Sequence, residues 1–244
     1  MKQSRFSGLL FYSMIFFLTS CAGGESEKKT STDSTAADSS TAVVIPKITT
    51  ITTPQNMMVV KHKVSNYAKW KTGYDAHDSA RLANGIHSYV IGRGLLDSNM
   101  ILVAVKVDDM AKAKAFAKDP GLKKAMQKGG VTGPPAFAFV TMTFQDTALV
   151  ASDIRSRTTF TVKDWGAWQK AFEEAKQERL DNGIAVRAFG HDADDDKKVV
   201  LVTVLMDTTK AYAYYKSDIL KKRRAASGVI GEPDRFLYRV VQRY

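Results

Sequence analysis

The chain has one cysteine and four histidines in 244 residues. A lone cysteine excludes an intrachain disulfide, and no paired Cys/His spacing of a zinc site is present. No phosphate-cradling glycine loop or nucleophile elbow appears, which argues against nucleotide enzymes and serine hydrolases. Beyond Leu18 no apolar run is long enough for a membrane span. Basic residues exceed acidic ones, 36 to 25, but no nucleic-acid-binding motif accompanies them. The excess is also spread, with 13 basic against 6 acidic residues in 57–144 and 18 against 14 in 153–244. We read it as a solvated basic surface facing anionic lipid or envelope polymers, with no nucleic-acid partner.

What is present begins with Lys2 and Arg5 ahead of a short apolar run, Leu9 to Leu18, which is a signal-peptide pattern. Leu18-Thr19-Ser20-Cys21 then resembles a lipobox, so residues 1–20 are expected to be cleaved and Cys21 to be lipidated, palmitate included. One acyl chain anchors only marginally, whereas two or more hold stably. Residues 21–56, rich in Ser, Thr, Gly and Ala, have little to bury and are expected to form a disordered tether. The expected location is the cell envelope, on the outer membrane or the periplasmic face of a membrane.

The rest of the chain repeats. With a shift of 98 residues, Val64 falls on Val162, Trp70 on Trp168, Arg81-Leu82 on Arg179-Leu180, and Asn84-Gly85-Ile86 on Asn182-Gly183-Ile184. Gly92 falls on Gly190. An extra residue in the second hairpin then gives a shift of 99, pairing Leu102-Val103 with Leu201-Val202 and Asp108 with Asp207. The shift of 98 returns for Gly130-Val131, Gly133 and Pro135.

Within each half the periodicities predict a strand, a helix capped by Asn66 or Asp164 and stopped at Asn-Gly, a hairpin, a helical region over 109–128 or 208–226, and a last strand after Pro135 or Pro233. That order is the ferredoxin-like βαββαβ unit. We expect an α+β fold of two tandem units, 57–144 and 153–244, joined by a crossover at 145–152. One unit leaves an open sheet face, so the two sheets are expected to pack together as a pseudo-dimer within a monomeric chain.

Tyr67-Ala68-Lys69-Trp70-Lys71, Tyr74-Asp75-Ala76-His77, Arg81, Gly85 and the closing Gly130-Val131-Thr132-Gly133-Pro134-Pro135 together resemble the dimeric alpha-beta barrel superfamily, near its antibiotic biosynthesis monooxygenase-like and cyclase-like members. The resemblance covers residues 57–244 and implies that the tandem is a fused dimer. The superfamily includes cofactor-independent oxygenases, isomerases and heme proteins, so it predicts chemistry poorly.

Trp70, Tyr74, His77 and Arg81 recur at helical spacing and share one face. An imidazole exchanges protons near neutral pH and a guanidinium holds an oxyanion. The catalytic candidates are therefore His77 as base and Arg81 as anion clamp, and the ligand-binding candidates are Trp70, Tyr74, Trp168 and Arg179. In the second half the stripe reads Trp168, Phe172, Ala175 and Arg179, without an imidazole. A structural role for the same residues is the alternative, with tryptophans anchoring helix to sheet and arginines complementing helix C-termini.

His62, His87 and His191 are weaker candidates, and Asp192 and Asp194 to Asp196 read as a solvated hairpin tip rather than a calcium loop. No metal and no cofactor is expected, with heme left open. The reading is an envelope lipoprotein with a binding or structural barrel, taking at most a small planar or anionic ligand. The alternative is a monooxygenase-like, isomerase-like or heme-related enzyme with one pocket in the first half. A cavity of a few hundred Å³ beside His77 and Arg81 separates the two.

Overall fold

The computed structural model describes residues 49–244. The signal segment, Cys21 and most of the expected tether lie outside the described residues. The described residues include strands ahead of the sequence-based boundary at 57. The short strand β1 (Thr50–Ile51) pairs with the far end of β5 (Val131–Asp146), and β2 (Gln55–Val64) follows at once.

The first half continues as α1 (Tyr67–Ala76), α2 (Asp78–Ala83), β3 (Ile86–Gly94), β4 (Met100–Val107), α3 (Met110–Phe116), α4 (Pro120–Lys128) and β5. The second runs β6 (Ile154–Val162), α5 (Trp165–Glu174), α6 (Lys176–Asp181), β7 (Ile184–Asp192), β8 (Lys198–Leu205), α7 (Thr208–Tyr215), α8 (Asp218–Ala226) and β9 (Val229–Arg243). Among the described residues no helix is long and apolar enough to cross a membrane.

Each expected helix is thus two. The Asn66 carboxamide accepts from the Lys69 amide and the Asp164 carboxylate from the Ala167 amide, so both predicted caps form. The helices then break at His77 and at Ala175, where the backbone leaves helical geometry. Arg81 explains how the break is tolerated. Its Nη1 donates to the Tyr74 carbonyl at 2.6 Å, and Arg179 donates likewise to the Phe172 carbonyl, supplying a donor to a carbonyl at the end of the preceding helix. The later helical regions divide at Asp119 and Ser217, whose side chains cap α4 and α8.

All strands belong to one antiparallel sheet in the order β1-β5-β2-β4-β3-β9-β6-β8-β7, and β5 also pairs with β7, which closes β2 to β9 into a barrel. The halves therefore meet edge to edge, through β3–β9 and β5–β7, rather than as two sheets stacked face to face. A glycine permits each seam. A Cβ on Gly92 would lie 2.2 Å from the Tyr238 ring, and one on Gly190 would lie 2.1 Å from the Thr141 carbonyl oxygen.

The register also corrects the repeat. Ile86 pairs with Val107 and Ile184 with Leu205, while Gly92 pairs with Leu102 and Gly190 with Val200, so the shift stays 98 through the hairpins. Asp109 and Asp207, the N-caps of α3 and α7, are the true equivalents. Runs of Val and Leu match themselves at either offset, but a slip of one residue would turn every side chain to the opposite face.

The last strands start earlier than predicted, at Val131 and Val229. Their prolines do no harm because Pro134 and Pro135 fall inside a ladder irregularity opposite Lys61 and Lys63. Helices cover the outside of the barrel, and the tightest packing lies beneath them. Ile86, Ile91 and Ile101 are fully buried in the first half, as are Val162, Val199 and Val204 in the second, each worth about 1.5–3 kcal/mol.

Candidate functional site

Alternation along β2, β4, β6 and β8 sends one set of side chains outward beneath the helices and the other into the barrel. Each half thus has a cavity between helices and sheet. The first is lined by Met58, Val60 and His62 of β2, by Trp70, Tyr74, His77 and Arg81 of the α1–α2 segment, and by Phe116, Met126 and Phe137. All four predicted residues of the stripe therefore meet at one place. The space left among them is only about 70 Å³, well below a few hundred Å³.

Trp70 is 4% exposed and stacks on Tyr74 at 5.2 Å between ring centroids, which makes it a helix-to-sheet anchor. The Arg81 guanidinium lies 3.7 Å from the Tyr74 ring centroid and is held by the Tyr74 carbonyl and by Asp78 at 2.8 Å. The α1–α2 break therefore occupies two of its nitrogens. The Tyr74 hydroxyl is 2.7 Å from the Ser88 hydroxyl. His77 sits half-buried at the break, 6.1 Å from the Phe116 ring.

The residue that sequence reasoning ranked too low is His62. It is 4% exposed, both ring nitrogens lack a hydrogen-bond partner among the described residues, and its ring lies 5.5 Å from Trp70. Burial pushes its pKa down to about 4, so it is neutral at physiological pH. The one available signal was its phase: His62 shares the alternation of Met58 and Val60.

The second-half cavity has about 300 Å³ of space. Phe160, Trp168, Phe172, Tyr214 and Tyr215 form its walls, and Arg179, Arg223, Arg224 and Arg235 reach its surface. The constant 98-residue register shows how it opened. Val60 is replaced by Thr158, His77 by Ala175 and Val105 by Thr203, all smaller or more polar, while Met126 becomes Arg224 and Phe137 becomes Arg235. Trp168 is 2% exposed and stacks on Phe172 at 4.9 Å.

Arg235 lies 3.6 Å over Tyr215, and among the described residues its Nε has no hydrogen-bond partner, as is also true of Arg179 Nε. Burial lowers the pKa of both arginines, marking charges that water serves poorly. At the rim Tyr214 donates to Glu178 at 2.6 Å and Arg223 bonds the same carboxylate at 2.9 Å, so Glu178 is neutralised and its pKa lowered.

Neither cavity suits heme. The first has imidazoles without room for a macrocycle, and the roomier second is lined by no histidine, cysteine or methionine and has, as iron ligands, only Tyr214, whose hydroxyl is taken by Glu178, and Tyr215. Among the described residues no group of three or more His, Cys, Asp or Glu is placed to hold a metal ion. At the acidic hairpin tip, Asp194 pairs with Lys114 and Asp195 with Lys198.

Neither a protein-family model nor a curated protein sequence matches the chain. Solved structures do. A candidate monooxygenase from Fusobacterium nucleatum aligns over 78% of this chain and 93% of its own, with a TM-score of 0.52 and 14% identity. An anthrone oxidase-like protein aligns over 77% and 92%, also with a TM-score of 0.52 and 14% identity. The fold is that of the dimeric α/β barrels. A heme-binding protein from Thermus thermophilus is more distant, at 10% identity and a TM-score of 0.47 over 79% of this chain and 93% of its own. At these identities the likeness concerns architecture alone.

Proposed function

We propose that the chain is a lipid-anchored envelope protein whose second-half cavity binds a small planar molecule carrying a carboxylate or similar oxyanion. The observation that carries this reading is the 300 Å³ cavity, in which aromatic walls meet arginines with unpaired Nε donors. Aromatic faces favour a planar apolar body, and a guanidinium favours a planar anionic group. The anchor rests on the segment ending at Cys21. In this reading the halves stand for the two subunits of a dimeric barrel, each with the order strand, helices, strand, strand, helices, strand. One half keeps a packed core and the other holds the pocket.

The test is titration of 1-naphthoate into the full-length protein, followed by tryptophan fluorescence. Saturable binding is expected, weakened about ten-fold or more by Arg235→Phe, which removes a charged donor and installs the first half's residue. Absence of saturation, or equal weakening by His77→Ala in the other cavity, contradicts the reading.

A second reading is enzymatic, and His62 favours it. An unpaired neutral imidazole in an apolar cavity can accept a hydrogen bond from a phenolic substrate and orient it, while burial keeps it a weak base; oxidation chemistry is named for the two structural neighbours. It ranks second because 70 Å³ admits no multi-ring substrate. Oxygen uptake with a single-ring phenol such as catechol, abolished by His62→Phe, is the result this reading requires.

A further inference from the structure

The interior of the barrel forms a third space, independent of both helix-side cavities. Arg155 and Arg157 of β6 face inward while Thr158 and Phe160 go outward. A bulge between Val186 and Ala188 turns Arg187 to the same interior, and Arg243 joins near the end of β9. The first half has Met57, Val59, Tyr89 and Gln145 at the equivalent positions.

These four guanidiniums line a chamber of about 90 Å³ in which the one lining carboxylate is Asp146, already 3.1 Å from Arg187. Arg155 is 3% exposed and among the described residues bonds only carbonyls, those of Ser152 at 2.8 Å and Ile154 at 3.1 Å. Among the described residues Arg157 makes no ion pair, and its Nε has no hydrogen-bond partner. Gln145 is 3% exposed, and its Nε2 also lacks a partner. Burial raises the Tyr238 pKa to about 12, so its hydroxyl stays protonated and able to donate.

Buried charge without a counter-charge is costly, and unpaired buried donors are rare in folded proteins. Arg155 and Arg157, which have no carboxylate partner among the described residues, and the spare Gln145 amide converge on one chamber, beside Arg187 paired with Asp146 and the exposed Arg243, and present a donor set suited to an anion. Access is provided by a wider mouth of about 480 Å³, which shares Val59, Leu102, Val140, Arg157 and Val200 with the chamber and carries charges of both signs, Lys61 and Lys198 with Asp192, Glu232 and Asp234.

We infer that the inner chamber is a binding site for a small oxyanion, with Arg157, Arg155 and the Gln145 amide as donors. Phosphate, sulfate and a carboxylate head share the chemistry. The chamber size limits the bound group to a few heavy atoms, and Arg157 stands where the mouth narrows into it.

The experiment is thermal unfolding of the full-length protein against inorganic phosphate, with ionic strength held constant by sodium chloride. A saturable rise in Tm of about 5–10 °C at one hundred times the dissociation constant is expected. Arg157→Met should raise the phosphate-free Tm and abolish the phosphate-dependent rise. Gln145→Leu, which keeps every charge, should weaken phosphate several-fold, and Arg235→Phe in the outer cavity should leave it unchanged. No rise beyond chloride, or a full rise in both Arg157→Met and Gln145→Leu, overturns the inference.

Discussion

The two helix-side cavities are made by equivalent elements at a constant register, yet one retains about 70 Å³ and the other about 300 Å³. Trp70 matches Trp168, and Arg81 matches Arg179, down to the bond each makes to a carbonyl seven residues earlier. The residues that match hold the architecture, and those that differ set the interior. Met126, Phe137 and His77 fill the first cavity; Arg224, Arg235 and Ala175 open and charge the second. Residues common to both halves are therefore poor guides to ligand chemistry here, although they are the ones that a repeat makes conspicuous.

The largest expected effect tests the shared part. Trp70→Ala and Trp168→Ala should each cost about 3–5 kcal/mol in urea unfolding, with Trp70 at the upper end because its surroundings are more closely packed. A small loss at either tryptophan would break the equivalence.

The next separates the halves by pH. His62 takes up a proton near pH 6.5 when unfolded but only near 4 when folded. Between those values the unfolded state binds more protons, so stability falls as pH falls, by up to about 3 kcal/mol below pH 4. His62→Phe, which installs the residue of the second half, should remove that slope; an unchanged slope would assign the acid sensitivity to other groups.

The smallest effect sharpens the register. Asp109→Ala and Asp207→Ala should each cost about 1 kcal/mol, because both carboxylates accept from the amide three residues on at the start of a helix. Asp108→Ala should cost less. Its carboxylate instead meets His87 at 2.9 Å on an exposed surface, where a charge pair contributes little.

The sequence carried the element order because turns and caps are local chemistry. Asn84-Gly85 and Asn182-Gly183 mark helix ends by the left-handed backbone that glycine adopts, with φ of +64° and +69°. Three features were not legible. The breaks at His77 and Ala175 carry no proline or glycine, and they depend on an arginine four residues on that reaches back to the earlier helix end. The edge-to-edge closure depends on Gly92 and Gly190 meeting other strands distant in sequence. The charge inside the barrel was read as surface charge, since Arg155-Ser156-Arg157-Thr158 looks like a strand with its polar face in water. In a closed barrel that face is the interior.

Cavity size escaped for a related reason. Val60, His77 and Val105 lie on three separate elements, and the smaller Ala175 and the more polar Thr158 and Thr203 line a pocket only when the three come together. His62 was set aside as a strand histidine, and its importance rests on what the alternation of β2 places around it.

The most direct test exchanges the residues that differ. Thr158→Val, Ala175→His, Thr203→Val, Arg224→Met and Arg235→Phe together give the second cavity the first one's residues at the five positions that open and charge it. The account predicts that this variant folds at least as stably as the wild type, relieved of buried charge, and loses 1-naphthoate binding by about a hundred-fold or more. Binding that survives the exchange in a folded variant would contradict the claim that the second-half cavity is the ligand site.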